Sequence, residues 1–285
     1  MTIVKNPKPK IRKAEIEDFD KVYPLLQKMN NACLSRDDWH RLFENHWQME
    51  GFSPGIVLET EHEIVGYIGT IYSIQKLDGK EQIFCNLTTW IVQEDFRSHS
   101  FMMILSLVRN KNIVLTSFSS NNVTYEVYKK LGFKDGNKTK RLVYPWPSLC
   151  ARQYTLLTDI QDIEQNLNSE NRKVFDDHKA FGNTYILIQH KDQQCLLMAV
   201  RHKIIFKLYY ASDRDFMCQH FKHFRNKLML QYKVKKMQVD EHLLKGRFVW
   251  FSRRVNWGNP YQYKTTMESL PSPSPEYSEI FLLNM

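Results

Sequence analysis

Two short stretches hold the residues whose types and spacing could do chemistry. In "QEDFRSHSFMMILSL", residues 93 to 107, a strand-like run that ends at Val92 and Gln93 is followed by Arg97, Ser98, His99, Ser100 and Phe101, and an apolar helix pattern begins at once. Unpaired amides at a helix start point outward, the helix dipole favours negative charge there, and Arg97 adds a full positive charge. The three together would hold a phosphate or pyrophosphate. The competing reading is an ordinary N-cap, with Ser98 or Ser100 bonding an amide and Arg97 in solvent. The second stretch, "NNVTYEVYKKLGF", sets Asn121 and Tyr128 on a helix of about residues 121 to 131, stopped by Gly132 and Phe133.

Two more clusters carry polar or aromatic chemistry. In "FDDHK", Asp176 and Asp177 beside His178 could tune an acid–base imidazole, although a solvated helix end is the plainer account. In "GRFVWFSRRVNWGNPYQY", Phe248 and Trp250 with Arg253 and Arg254 could stack a base or sugar and hold phosphates. Their alternation equally fits a strand with one buried face, and that packing role is the expectation.

The elements that must position these residues are legible as periodicities. "KIRKA" reads as a strand; "IEDFDKVYPLLQKM" is a helix with Phe19, Val22, Leu25, Leu26 and Met29 on one face. "SRDDWHRLFENHW" is a second helix, opened by a capping box of Ser35 and Asp38 and striped by Trp39, Leu42, Phe43 and Trp47. Three strand-like runs follow, "GIVLETE", "EIVGYIGTIYSIQKL" and "EQIFCNLTTWIVQ", the last two joined by the hairpin signal "DGKE". They predict an antiparallel meander that delivers the chain to Arg97. After the helix at about 100 to 109 come a strand "NIVLTSFS" and the helix of Tyr128.

"YPWPSLCARQY", with Pro145 and Pro147, breaks both periodicities and predicts a boundary between domains at 1–146 and 147–285. Beyond it an acidic helical segment, "TYILIQH", "QQCLLMAVRH", "KIIFKLYYAS", a helix near 214 to 229 and "KVKKMQV" repeat the order three strands, helix, strand. Asp213 and Asp215 stand where that second copy would hold phosphate and would repel it, so the second domain is expected to be a degenerate copy. The tail "SLPSPSPEYSEIFLLNM" is expected to pack back on the body.

Composition narrows the class. With 42% hydrophobic residues in 285, the chain can fill a core and is not a disordered one. A formal charge of +9, from 40 basic and 31 acidic residues, favours acidic ligands such as phosphates. Five scattered cysteines, without a CxxC pair or a zinc-spaced cluster, predict a reduced cytoplasmic protein and no metal. No apolar run reaches membrane-spanning length, so no membrane partner is expected.

The region from about 10 to 140 resembles the Gcn5-related N-acetyltransferases, on "QEDFRSHSF" followed by "NNVTYEVYKKLGF". The resemblance implies an α/β (α+β) acyl-CoA N-acyltransferase fold: a mixed, mostly antiparallel sheet flanked by helices, here as two related units. It implies acetyl-CoA or another acyl-CoA as co-substrate, with Val92, Arg97, Ser98, His99, Ser100, Phe101 and Asn121 at the coenzyme. Tyr128 would be the catalytic residue, its hydroxyl protonating the leaving thiolate. The match departs from the family at Ser98 and Ser100, where glycines are expected so that backbone can approach phosphate closely.

Direct transfer to an amine also needs a base. Glu59, Glu81, His40 and His46 are candidates, His178 joins them if the halves share a cleft, and Asn86, Thr88 and Trp90 suit an acceptor wall. The activity expected is acetyl transfer to a primary amine of a small molecule, an amino sugar among the candidate acceptors, by a protein that could form a homodimer. Two alternatives stay open: a transferase that takes an aminoacyl group from tRNA, the one reading that brings in nucleic acid, and a non-catalytic binding protein with a lost coenzyme site.

Overall fold

The computed structural model describes residues 8–285 apart from residues 30, 32, 48, 78–79, 137–138, 147–151, 203–204, 257 and 268–272. Along the chain, β1 (Lys10–Lys13), α1 (Phe19–Gln27), α2 (Arg36–His40), β2 (Gly55–Glu59), β3 (Ile64–Leu77), β4 (Lys80–Val92), α3 (Ser100–Arg109), β5 (Ile113–Ser117), α4 (Asn122–Lys130), β6 (Lys134–Asp135) and β7 (Thr139–Val143) make up the first half. The second half holds β8 (Thr155–Leu157), α5 (Ile160–Asn166), α6 (Ser169–His178), β9 (Thr184–His190), β10 (Gln193–His202), β11 (Ile205–Ala211), α7 (Arg214–Gln231), β12 (Lys236–Asp240), β13 (Ser252–Asn256), β14 (Gln262–Lys264) and α8 (Glu279–Leu282).

Two seven-stranded sheets result, ordered β1-β2-β3-β4-β5-β14-β6 and β8-β9-β10-β11-β12-β7-β13. In each, five strands follow chain order and a sixth forms the far edge. The strand between fifth and sixth comes from the other half of the chain: β14 in the first sheet, β7 in the second. The β4–β5 and β11–β12 pairs are parallel, and the pairs within each meander are antiparallel. The repeat expected from element order is therefore present as one strand order used twice.

The compact units follow this exchange. Unit one is residues 1–135 with 261–273 and 277–283, and unit two is residues 136–260 with 274–276 and 284–285. The predicted boundary after Trp146 falls on residues 147–151, outside those described. No single cut in the chain reproduces the two units, because β14 and the tail of unit one follow the main segment of unit two in sequence.

Local chemistry accounts for the first unit's elements. The α1 face of Phe19, Val22, Leu25 and Leu26 is buried, whereas Met29 lies past the helix end and is exposed. The Ser35 hydroxyl accepts from the Asp38 amide at 3.1 Å and Asp38 accepts from the Ser35 amide at 2.9 Å, which is the capping box. The helix it opens is shorter than the stripe predicts and passes at Arg41–Phe43 into a 3-10 turn. β3 and β4 form the long hairpin, and its turn at residues 78–79 lies outside those described.

In unit two, Arg141 on β7 donates from Nε to Glu241 at 2.8 Å, and Arg254 reaches the same carboxylate at 3.0 Å. Arg141 is 4% exposed. Removing one partner of a buried pair strands the other charge, which costs about 3–5 kcal/mol. Because the exposed Arg254 still serves Glu241, Arg141→Met is expected at the lower end, about 3 kcal/mol, read by urea unfolding of the whole chain. "GRFVWF" is not the half-buried strand that its alternation suggests. β13 starts at Ser252, and Phe248, Trp250 and Phe251 are exposed at 74%, 64% and 54%.

Among the described residues, no helix is long and apolar enough to cross a membrane, and no group of three His, Cys, Asp or Glu is placed to hold a metal ion.

Candidate functional site

The first unit's sheet opens where the site residues gather. β4 and β5 pair from Ile83 with Ile113 to Asn86 with Thr116, and β4 then runs on alone on that side to Val92. The two strands diverge from that vertex into a wedge. Just past it β4 bulges: Ile68 pairs with Trp90 and Thr70 with Leu87, so Thr88 and Thr89 oppose Gly69 alone. A side chain at 69 would collide with the Thr88 hydroxyl, which is why glycine stands there.

A groove of about 520 Å³ runs along this opening, within the usual size of ligand clefts. Trp90, Ile91 and Val92 of β4 line it, with Arg97 and Ser100 at one end and Asn121, Val123, Thr124 and Val127 of α4 along the side. Thus the two sequence stretches meet in one place, and Val92, Arg97, Ser100 and Asn121 all face it. Asn121 is the N-cap of α4, accepting from the Thr124 amide at 2.9 Å. The Trp90 indole Nε1 is buried with no hydrogen-bond partner.

The turn that the sequence predicts to bind an anion has a different shape from the one expected. Glu94–His99 is a 3-10 helix that leads straight into α3, and the Ser100 amide donates to the Arg97 carbonyl. With serine rather than glycine at 98 and 100, the segment lacks the residue that opens a loop for close backbone approach, so it winds into the tighter helix instead. Arg97 is exposed and sits 3.4 Å from Glu94, which shares its charge. The Ser98 hydroxyl and His99 Nδ1 bond each other at 3.2 Å, and Phe101 is 49% exposed. Ser98, His99 and Phe101 are not among the groove's lining residues.

Tyr128 lies one layer beneath. It is 1% exposed and stacked between Trp90, at 5.7 Å, and Phe133, at 4.7 Å. Gly132, at φ +84°, ends α4 and turns the chain so that Phe133 can return onto Tyr128. Burial, then the nearby Glu279 and Cys85, push the phenol well above its ordinary range, so it stays protonated in neutral solution.

The predicted bases lie elsewhere. Glu59 is paired with Arg12 at 2.7 Å, His40 with Glu44 at 2.9 Å, His46 bonds the Arg41 carbonyl at 2.9 Å, and Glu81 is exposed. His178 belongs to unit two and is fully buried, its ring nitrogens 2.7 Å from the Val174 and Glu276 carbonyls.

The residue that sequence reasoning missed is Glu279, from the tail. It is 2% exposed, accepts hydrogen bonds from the Asn86 amide and the Ser119 hydroxyl, and so sits at the vertex of the wedge. Thr116 completes the cluster, donating to Asn86 Oδ1 at 3.3 Å. Burial raises the Glu279 pKa, and the bonds from Ser119 and Asn86 oppose that shift. One signal was available: an acid embedded in the apolar terminal run "SEIFLL".

No protein-family model matches the chain, and neither does any curated protein sequence. Solved structures do match in fold. A Gcn5-related N-acetyltransferase from Anabaena variabilis is similar with a TM-score of 0.61 at 9% identity, over 90% of this chain and 72% of that one. A conserved protein of unknown function from Enterococcus faecalis gives 0.63 at 8%, and a Gcn5-related N-acetyltransferase from Kribbella flavida 0.56 at 11%, with the same coverages of 90% and 72%. With two mostly antiparallel, helix-flanked sheets and these neighbours in structure, the chain has the α/β acyl-CoA N-acyltransferase fold.

Proposed function

We propose that the first unit is an acyl-CoA-dependent N-acyltransferase that moves an acetyl group to a primary amine of a small molecule, an amino sugar being one candidate acceptor. The observation that carries this reading is the wedge: a groove of ligand size at diverging β4 and β5 strands, with a phenol buried directly under its Trp90 wall. The fold similarity supports it. Acyl-CoA would lie along Trp90 and Val92 with its phosphates toward Arg97 and Ser100. It would supply the activated thioester; the chain's residues would orient it and move protons. Asn121 fixes the α4 start, and Tyr128 would give its hydroxyl proton to the departing sulfur. The second unit carries Asp213 as the cap of α7, with Asp215 in the first turn, and is assigned no coenzyme.

Calorimetry with acetyl-CoA and CoA tests the reading, followed by thiol release against a panel of amines. Binding and amine-dependent thiol release are expected; no heat at millimolar ligand defeats it. A single charge-assisted contact is worth about 1.5–3 kcal/mol, so Arg97→Ala should weaken acetyl-CoA about 10-fold with little change in melting temperature. An unchanged Kd removes Arg97 from the phosphate site.

One observation favours a second reading, a binding protein without catalysis: the engaged Ser100 amide and the Glu94–Arg97 pair leave less for a pyrophosphate than an open glycine turn would. Coenzyme binding without turnover of any amine would select it.

A further inference from the structure

We propose that Glu279, carried into the first unit by the chain's C-terminal segment, is the general base of that reaction; the proposal rests on the acyltransferase reading above. Its position is the first argument. Cys85 and Leu87 pack in one cluster with Tyr128 on the α3 and α4 side of β4, and the intervening Asn86 turns to the other side, where it holds Glu279. Glu279 and Tyr128 therefore lie on opposite sides of β4 at the vertex of the wedge, and the carboxylate is among the groups that raise the phenol. α8 lies against the 3-10 turn Arg41–Phe43 that follows α2, and Asn86, expected at the acceptor wall, is one of the two side chains that hold Glu279.

Chemistry is the second argument. A carboxylate sealed from water and held by two neutral donors, with no cation among the influences on it, is an expensive way to anchor a tail. Glutamine or an apolar residue would anchor it at lower cost. A base that must take a proton near neutral pH needs the environment found here: desolvated, oriented by Asn86 and Ser119, and raised toward the working pH. The other ionisable groups nearby are spoken for. Cys85 is buried with its thiol pushed up to about 12, and Arg41 on the turn facing α8 pairs with Asp38 at 3.5 Å.

The proton balance closes with these two residues. An acceptor that arrives as an ammonium first loses one proton to solvent. As the amine nitrogen bonds the thioester carbon, a second proton passes from nitrogen to a Glu279 carboxylate oxygen. The carbon–sulfur bond breaks with its electron pair on sulfur, sulfur takes the Tyr128 hydroxyl proton, and as the products leave Glu279 gives its proton to solvent while the phenolate takes one from solvent. Both groups end as they began.

The test is Glu279→Gln, which keeps the shape and the bond from Asn86 and presents an NH2 donor that the Ser119 hydroxyl can turn to accept, with Glu279→Asp beside it. Glu279→Gln is expected to bind acetyl-CoA within about twofold of the natural protein and to lose about 100-fold or more in kcat, as for removal of an acid–base group. The rise of kcat with pH should flatten in the glutamine variant and return in part in the aspartate variant. Thermal melting gives a readout that needs no acceptor. The folded pKa of Glu279 lies above its unfolded value, so its neutral form suits the fold and stability is lost as pH rises through the folded pKa. Glu279→Gln should accordingly melt higher than the natural protein at pH 8 and lose that advantage in acid. Unchanged kcat and pH profile, or a faster enzyme as from release of an occluding segment, overturns the base assignment, as does a glutamine variant that melts lower at pH 8. Failure of the natural chain to bind acetyl-CoA overturns the acyltransferase reading instead.

Discussion

Tyr128→Phe is expected to lower kcat by about 100-fold or more while leaving the Kd for acetyl-CoA within about twofold, since positioned proton donors contribute on that scale. The ring is the structural part of this residue: it is 1% exposed and fills the layer between Trp90 and Phe133, and phenylalanine keeps it. Only the hydroxyl is lost, so the melting temperature should change little. The phenol is pushed upward by burial and then by Glu279, so it is a proton donor throughout the neutral range and adds no limb of its own to the pH profile there. The substitution should therefore scale the whole profile down without moving it, whereas Glu279→Gln should change its shape. Steady-state thiol release from pH 6 to 9, with calorimetry on the same preparations, separates the two. Equal kcat in the phenylalanine variant would leave Tyr128 as a core residue.

Much of this unit was legible because its signals are local. A capping box, an apolar stripe at helical spacing and a glycine at a helix end act within a few residues of themselves, so α1, the start of α2 and the end of α4 stand where Phe19, Ser35 and Gly132 put them. The meander was legible for the same reason. What failed were features set from far away. The "GRFVWF" alternation imitates a strand, yet pairing with β7 begins at Ser252, after Phe251 adopts φ +54°. The turn between β4 and α3 was legible as a turn but not in its shape, because the consequence of Ser98 and Ser100 depends on how the next turn winds. Glu279 was invisible as a site residue: nothing local says that a tail acid will meet Asn86 and Ser119, 193 and 160 residues away in sequence. β14 has three residues and no periodicity to read, so its place between β5 and β6 exists only in the long-range pairing.

That exchange has the largest consequence for stability. A chain ending at Pro260 is expected to lose the cooperative fold of its first unit, although residues 1–135 would be intact. The edge of β5 would lose its antiparallel partner, and the two residues of β6 pair with β14 in this sheet. Gln262 is fully buried, and Tyr261 packs edge-on to Phe118 at 4.9 Å. With Tyr277, Ile280, Phe281, Leu282 and Leu283, all buried, the deletion removes six large side chains from the core. Burial of each is worth roughly 1.5–3 kcal/mol, so about 9–18 kcal/mol is at stake, against about 5–15 kcal/mol for the whole stability of an ordinary domain. The loss is of the same size as the whole stability of such a unit. Far-ultraviolet circular dichroism and urea unfolding of the 1–260 chain should show the loss of one transition, and acetyl-CoA binding should go with it. A soluble 1–260 chain that keeps both transitions would mean that β14 and α8 decorate a sheet already complete without them. By the same logic the fragment 147–285 lacks β7 between β12 and β13, so a cut after Trp146 leaves two incomplete sheets.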